Sequence, residues 1–211
     1  MKSIICLIML MLCTLSRAAT PIDGLYSNVF GGYAYLPGNV NHSYNGGTVN
    51  TPTYQGGFEA GGSIGYKSNP MRYEGEVTYI RANLSKFFLN SIQQTSTSGY
   101  DQTVLAMANI YYDFASLNPL LQPYIGGGIG GGWLQGSLNS TAPSSVAFSA
   151  EAWAFAYQGI AGVTFNFAEN YALNLNYRYI ASANLKAFGT VFQAHIANFG
   201  ATYRFDGVKY K

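Results

Sequence analysis

The chain has 211 residues, of which 48% are hydrophobic and only 9% charged, with 25 glycines, 18 tyrosines and 13 phenylalanines. Soluble domains carry about 25% charged residues, so this composition argues against an ordinary secreted globular domain. A formal charge of +2 with no basic cluster excludes electrostatic capture of nucleic acid, and no cofactor-binding pattern stands out.

The N-terminus reads as a secretory signal peptide: Lys2, an apolar run from Ile4 to Leu15, then Ser16, Arg17 and Ala18, with cleavage expected after Ala18. Both cysteines, Cys6 and Cys13, fall inside it. The segment expected to remain, 19–211, is one domain that enters an oxidising compartment without disulfides. No later apolar run reaches the roughly 18 residues of a membrane helix, so a membrane-spanning reading requires strands.

Strands follow in chain order. Asp23 to Leu36 reads as the first, with its lipid-facing parity unsettled, and 37–55 as a long polar loop. Gly56 to Lys67 alternates Phe58, Ala60, Gly62, Ile64 and Tyr66 against Glu59, Gly61, Ser63, Gly65 and Lys67. After a tight turn at 68–70, Met71 to Ile80 sets Tyr73, Gly75, Val77 and Tyr79 against Arg72, Glu74, Glu76 and Thr78. A long polar stretch, 81–101, precedes the strand Gln102 to Phe114. In Pro123 to Gln135 the glycines resemble a phosphate loop, but no Lys-Ser/Thr pair and no helix follow. A strand with Ile125, Ile129 and Trp133 outward, and inward glycines making room in a narrow barrel, fits better.

The longest alternation is the hairpin from Trp153 to Ile180. Its greasy face carries aromatics at both ends of each arm (Trp153, Phe165, Phe167; Tyr171, Tyr179) with Gly159, Ala161, Val163, Leu173 and Leu175 between. A bilayer selects this gradient, because amphipathic rings favour the two headgroup boundaries and aliphatic groups the hydrocarbon. About 9–11 tilted residues span it. With Tyr79, Phe114, Trp133, Tyr203 and Phe205 these rings form the expected aromatic girdle. The last strand ends at Phe205.

Connections alternate between long (37–55, 81–101, 136–149) and short (68–70, 115–122, 168–170), ending with 181–190. The fold class that follows is all-β: an eight-stranded antiparallel up-and-down transmembrane barrel, closed without an edge, long loops outside and both termini periplasmic.

The stretches RYEGEVTYI (72–80), MANIYYDF (107–114), PYIGGGIGGGW (123–133), AYQGIAGVTF (156–165), YALNLNYRYI (171–180) and FGATYRF (199–205) resemble the small eight-stranded outer-membrane barrels of the opacity-protein and OmpA-like surface antigen type. The resemblance implies the outer membrane of a Gram-negative bacterium, lipid and the barrel assembly machinery as partners, and host or matrix molecules as candidate ligands. Some eight-stranded barrels are lipid A hydrolases marked by a His-x-Ser pair. Here His195 is followed by Ile196 and Ala197, so neither His195 with a nearby Ser182 nor His42, in a loop, supports an enzyme or a metal site.

Parity sends Glu59, Arg72, Glu74, Glu76, Asn109, Asp113, Gln158, Asn174, Asn176, Arg178 and Arg204 into the lumen. Such charges require partners, so Glu74 and Glu76 are expected to meet Arg72, Arg178 or Arg204. This set reads as structural glue, with a narrow porin-like channel as the alternative. The loops remain for surface interaction, with Phe87, Phe88 and Leu89 as candidate contacts, and the reading is a non-enzymatic envelope-structural or adhesive role.

Overall fold

A computed structural model of the protein describes residues 22–38, 42–44, 47–115, 120–183 and 191–205. The N-terminal stretch read as a signal peptide and the tail after Phe205 lie outside the described residues. Eleven strands are present among them: β1 (Gly24–Tyr35), β2 (His42–Tyr44), β3 (Gly47–Tyr54), β4 (Gly57–Ser68), β5 (Met71–Leu89), β6 (Ile92–Gln93), β7 (Thr95–Asp113), β8 (Leu121–Ala142), β9 (Val146–Asn166), β10 (Tyr171–Ser182) and β11 (Gln193–Arg204). Eight close a ring of antiparallel pairs in the order β1, β4, β5, β7, β8, β9, β10, β11 and back to β1. Closure leaves no edge to satisfy in lipid.

The wall is uneven in height. Strands β5, β7, β8 and β9, consecutive around the ring, have 19, 19, 22 and 21 residues, whereas β1, β4, β10 and β11 have 12 each. The stretches 81–101 and 136–149, expected as loops, are largely strand: β5 runs on to Leu89, and β7 pairs with β8 as far as Thr95 and Ala142. The expected loop 37–55 likewise contains β2, which opens at His42, and β3, which pairs with the upper end of β5. The tall strands and β3 thus form a lip on one side of the barrel.

The reason is a reversal of polarity partway up each tall strand. On β5 the outward residues run Tyr73, Gly75, Val77, Tyr79 and then Arg81 and Asn83, while the buried ones run Arg72, Glu74, Glu76, Thr78 and then Ile80, Ala82 and Leu84. On β8 the outward series passes from Ile125, Ile129 and Trp133 to Gln135, Ser137 and Asn139, and the inward series from glycines to Leu134 and Leu138. Below the switch the barrel is apolar outside and polar inside, as lipid demands. Above it the barrel is built like a water-soluble one. In β1 the parity is now defined: Leu25, Val29, Tyr33 and Tyr35 face outward, and Tyr26 and Ala34 are buried.

Candidate functional site

The lumen is stacked in three layers. In the lower layer, at the end of the barrel with the short connections, Asp113 on β7 holds two cations, Lys67 Nζ at 3.0 Å and Arg72 Nε at 2.9 Å. Arg72 lies between the rings of Tyr111 and Tyr124, 4.7 and 4.6 Å from their centroids, with Glu74 at 3.8 Å. Tyr26 donates to Glu74 at 2.5 Å. Arg204 meets no glutamate side chain; its Nη2 donates to Asn166 Oδ1 at 2.6 Å, because β11 places it beside the β9–β10 turn.

The middle layer is organised by Arg178 on β10. Nη1 donates to Glu59 Oε1 at 2.7 Å, and Nη2 donates to Glu76 and, at 2.8 Å, to Gln158 Oε1. Gln158 donates to Asn109 at 2.7 Å, and Asn109 donates to Glu76 at 2.9 Å, which closes a hydrogen-bonded ring over four strands. Asn198 donates to the second oxygen of Glu59. Asn174 accepts from Thr164 at 2.9 Å and donates to Thr202 at 2.7 Å, and Asn176, half-buried, donates to Asn198 at 3.3 Å. Below Asp101, Lys67, Arg72, Arg178 and Arg204 balance Glu59, Glu74, Glu76 and Asp113. Cavities of about 20 Å³ beside Arg72, Asn176 and Arg178, and about 10 Å³ beside Lys67, Asp113 and Arg204, remain. Each is about the space of one water.

The top layer is largely apolar. Ala34, Ile80, Phe87, Leu105, Leu134, Leu138, Ala156, Ile180, Ala194 and Ile196 are all at most 1% exposed and pack as one cluster. Phe87, expected at the surface, belongs to this plug at 0% exposure, while Phe88 and Leu89 are half-buried where β5 pairs with β3 and β6. β5 continues past the girdle, and an irregularity between Leu84 and Lys86, where its pairing with β3 shifts register, turns Phe87 inward although it shares the parity of the outward Tyr79, Arg81 and Asn83. Above the membrane, burial and the neighbouring Asp101 carboxylate push the Tyr54 hydroxyl well above the ordinary tyrosine range.

Outside, the rings of Phe165, Phe167, Tyr171, Tyr203 and Phe205 follow one another at 6.3, 6.4, 5.1 and 5.1 Å around the end with the short connections, and Phe114 packs on Tyr112 at 5.2 Å. At the other end Trp133 lies opposite Trp153, 49% and 66% exposed, with Tyr79 and Tyr179 on neighbouring strands. His195 and Ser182 do not meet. His195 stands on the outer face, its Nδ1 2.6 Å from the Tyr177 hydroxyl, and Ser182 is buried, bonded to Ala183 O and Phe192 N.

Several lumen residues lie outside the sequence-based set. Lys67 and Asn198 share the parity of Glu59 and Arg204 in their strands, a signal sufficient to find them. Tyr26 and Tyr124 carry no such signal, since aromatic residues in a barrel strand are expected to face lipid.

Fold and lumen define a small eight-stranded transmembrane β-barrel with a filled interior. The family described as outer membrane protein beta-barrel domain matches residues 5–205, and the chain belongs to that family. An uncharacterized protein of Brucella abortus strain 2308 is 28% identical over 157 residues, covering 64% of this chain and 55% of its own length. The chain thus spans about half the length of the curated relatives it matches. Among solved structures, Neisserial surface protein A is similar in fold, with TM-score 0.56 and 20% identity over 87% of this chain and 98% of that one. A major outer membrane protein from Thermus thermophilus aligns with TM-score 0.50 and 12% identity over 86% and 99%.

Proposed function

We propose that this barrel is a non-conducting, non-enzymatic envelope protein that acts through the outer surface of its extracellular lip, in a structural or adhesive role. The observation that carries the reading is the filled lumen. Paired charges occupy its periplasmic half, and a largely apolar plug around Ile80, Leu105, Ile180 and Ile196 occupies the other. Ions crossing the plug would lose their water against chiefly apolar side chains, with Thr103 and Asp101 the few buried polar groups at that level. The lip supports the second half of the reading: β8 continues nine residues beyond Trp133, about 30 Å along the strand.

The test is conductance of the refolded protein in a planar bilayer, with folding verified by a heat-modifiable gel band. Silence is the expected result. A narrow channel is the competing reading, favoured by the two polar cavities; discrete openings altered by Glu74→Gln or Arg178→Ala would establish it instead. The adhesive part is tested by cell binding of variants changed only on outward lip positions, such as Ser137→Glu with Asn139→Glu. Unchanged binding would leave the structural role alone.

A further inference from the structure

We propose that the outer face of the lip above the girdle, centred on Arg81, is a docking surface for the phosphorylated head group of an outer-leaflet glycolipid. The surface lies at head-group level. Immediately above Tyr79, Trp133 and Trp153, the outward residues form one cross-strand row: Phe58, Arg81, Gln102, Gln135 and Glu151 are paired in register across β4, β5, β7, β8 and β9. Tyr79 donates to Gln102 Oε1 at 3.1 Å, and Gln102 donates to Gln135 Oε1 at 2.7 Å, so an amide ladder runs along the boundary and fixes the row.

Charge points to the partner. Of the cations among the described residues, Lys67, Arg72, Arg178 and Arg204 are buried in the lumen. Arg81 and Lys86 lie outside it, both on the extracellular part of β5, and neither joins an ion pair among the described residues. The exposed acids are Asp23 and Glu169 at the periplasmic end and Glu151 at the far end of the extracellular row, three strands round the ring from Arg81. The Arg81 guanidinium carbon lies 4.7 Å from the centroid of the Tyr100 ring, a cation–π contact that positions a group whose N–H donors suit a phosphate.

The wall beneath accommodates the rest of an amphiphile. Directly below Arg81 on β5 come Tyr79, Val77 and Gly75, and a shallow, open apolar groove is floored by Gly62 and Gly75 and flanked by Val29, Ile64 and Val77. A Cβ built at Gly75 would meet nothing within 4 Å, so the groove is open to an acyl chain. Head group and chain are thus served by one strand, which favours a lipid over a free anion.

The experiment is native mass spectrometry of the detergent-solubilised full barrel titrated with bisphosphorylated lipid A, and with the same lipid after phosphate removal. We expect tighter binding of the phosphorylated form, about fivefold weaker binding in Arg81→Gln, and a further weakening of similar size when Lys86→Gln is added. Gly75→Leu should weaken both lipids alike. Equal binding of the two lipids by the wild-type protein, or of the phosphorylated lipid by wild-type and double variant, would overturn the proposal. If a variant fails to fold, the two-lipid comparison on the wild-type protein decides alone.

Discussion

Gln158 on β9 donates to Asn109 on β7 across an entire intervening strand, at 2.7 Å, and the residue of β8 in register with both is Gly128. A Cβ at Gly128 would sit 1.9 Å from Asn109 Oδ1. The missing side chain therefore makes the hydrogen-bonded ring possible. Gly128→Ala should destabilise the barrel by about 1–3 kcal/mol through overpacking, plus the loss of a buried bond. Gly75→Ala and Gly159→Ala, whose Cβ positions are open, should be neutral or slightly stabilising. Urea unfolding in lipid vesicles measures all three; equal costs would refute the distinction.

Arg178 on β10 reaches across the lumen to two acids of the facing wall, Glu59 on β4 and Glu76 on the neighbouring β5. Arg178→Ala leaves two carboxylates facing each other without a cation and should cost about 3–5 kcal/mol. Combining it with Glu59→Gln and Glu76→Gln should recover much of that loss, since removing all the charges together leaves no uncompensated ion. No recovery in the triple variant would mean that Arg178 acts mainly through its packing on Phe30, 5.0 Å away.

Phe87 is a plug residue, so Phe87→Ala should lower stability by about 3–5 kcal/mol and leave outward lip chemistry intact. Deleting 84–98 would remove Leu84, Phe87, the pairing of β5 with β3 and β6, and the upper end of the β7–β8 pairing together. Such a deletion would test folding more than adhesion. Thermal stability and cell binding, measured side by side on Phe87→Ala, separate the two effects.

Trp133 and Trp153 are the two tryptophans of the chain, and both belong to the extracellular girdle. Their emission should be blue-shifted in vesicles, and brominated lipids carrying the label near the head group should quench it more than lipids labelled near the chain ends. Deeper quenching would place the girdle inside the hydrocarbon and move the head-group row with it.

Most of the transmembrane wall was legible in the sequence because lipid imposes a simple rule, apolar outward and polar inward, that the period of two exposes directly. Glu59, Arg72, Glu76 and Arg178 were found that way. The lip was not legible for a physical reason: from Ile80 and Arg81 upward the two faces exchange character, so an unbroken strand looks like the end of a pattern and the start of a polar loop. Partner choice inside the lumen was readable only in part. Parity places Arg204 inward, but its position beside Asn166 depends on how far up the barrel each strand begins.

That exchange of faces also gives the molecule a waterline. Raising the barrel by one pair of residues would lift Tyr79, Trp133 and Trp153 into water, and sinking it by the same step would press Arg81, Gln102, Gln135 and Glu151 into hydrocarbon. Both displacements are opposed on several strands at once, so the protein floats at one depth relative to this boundary and presents its lip at a fixed height above it.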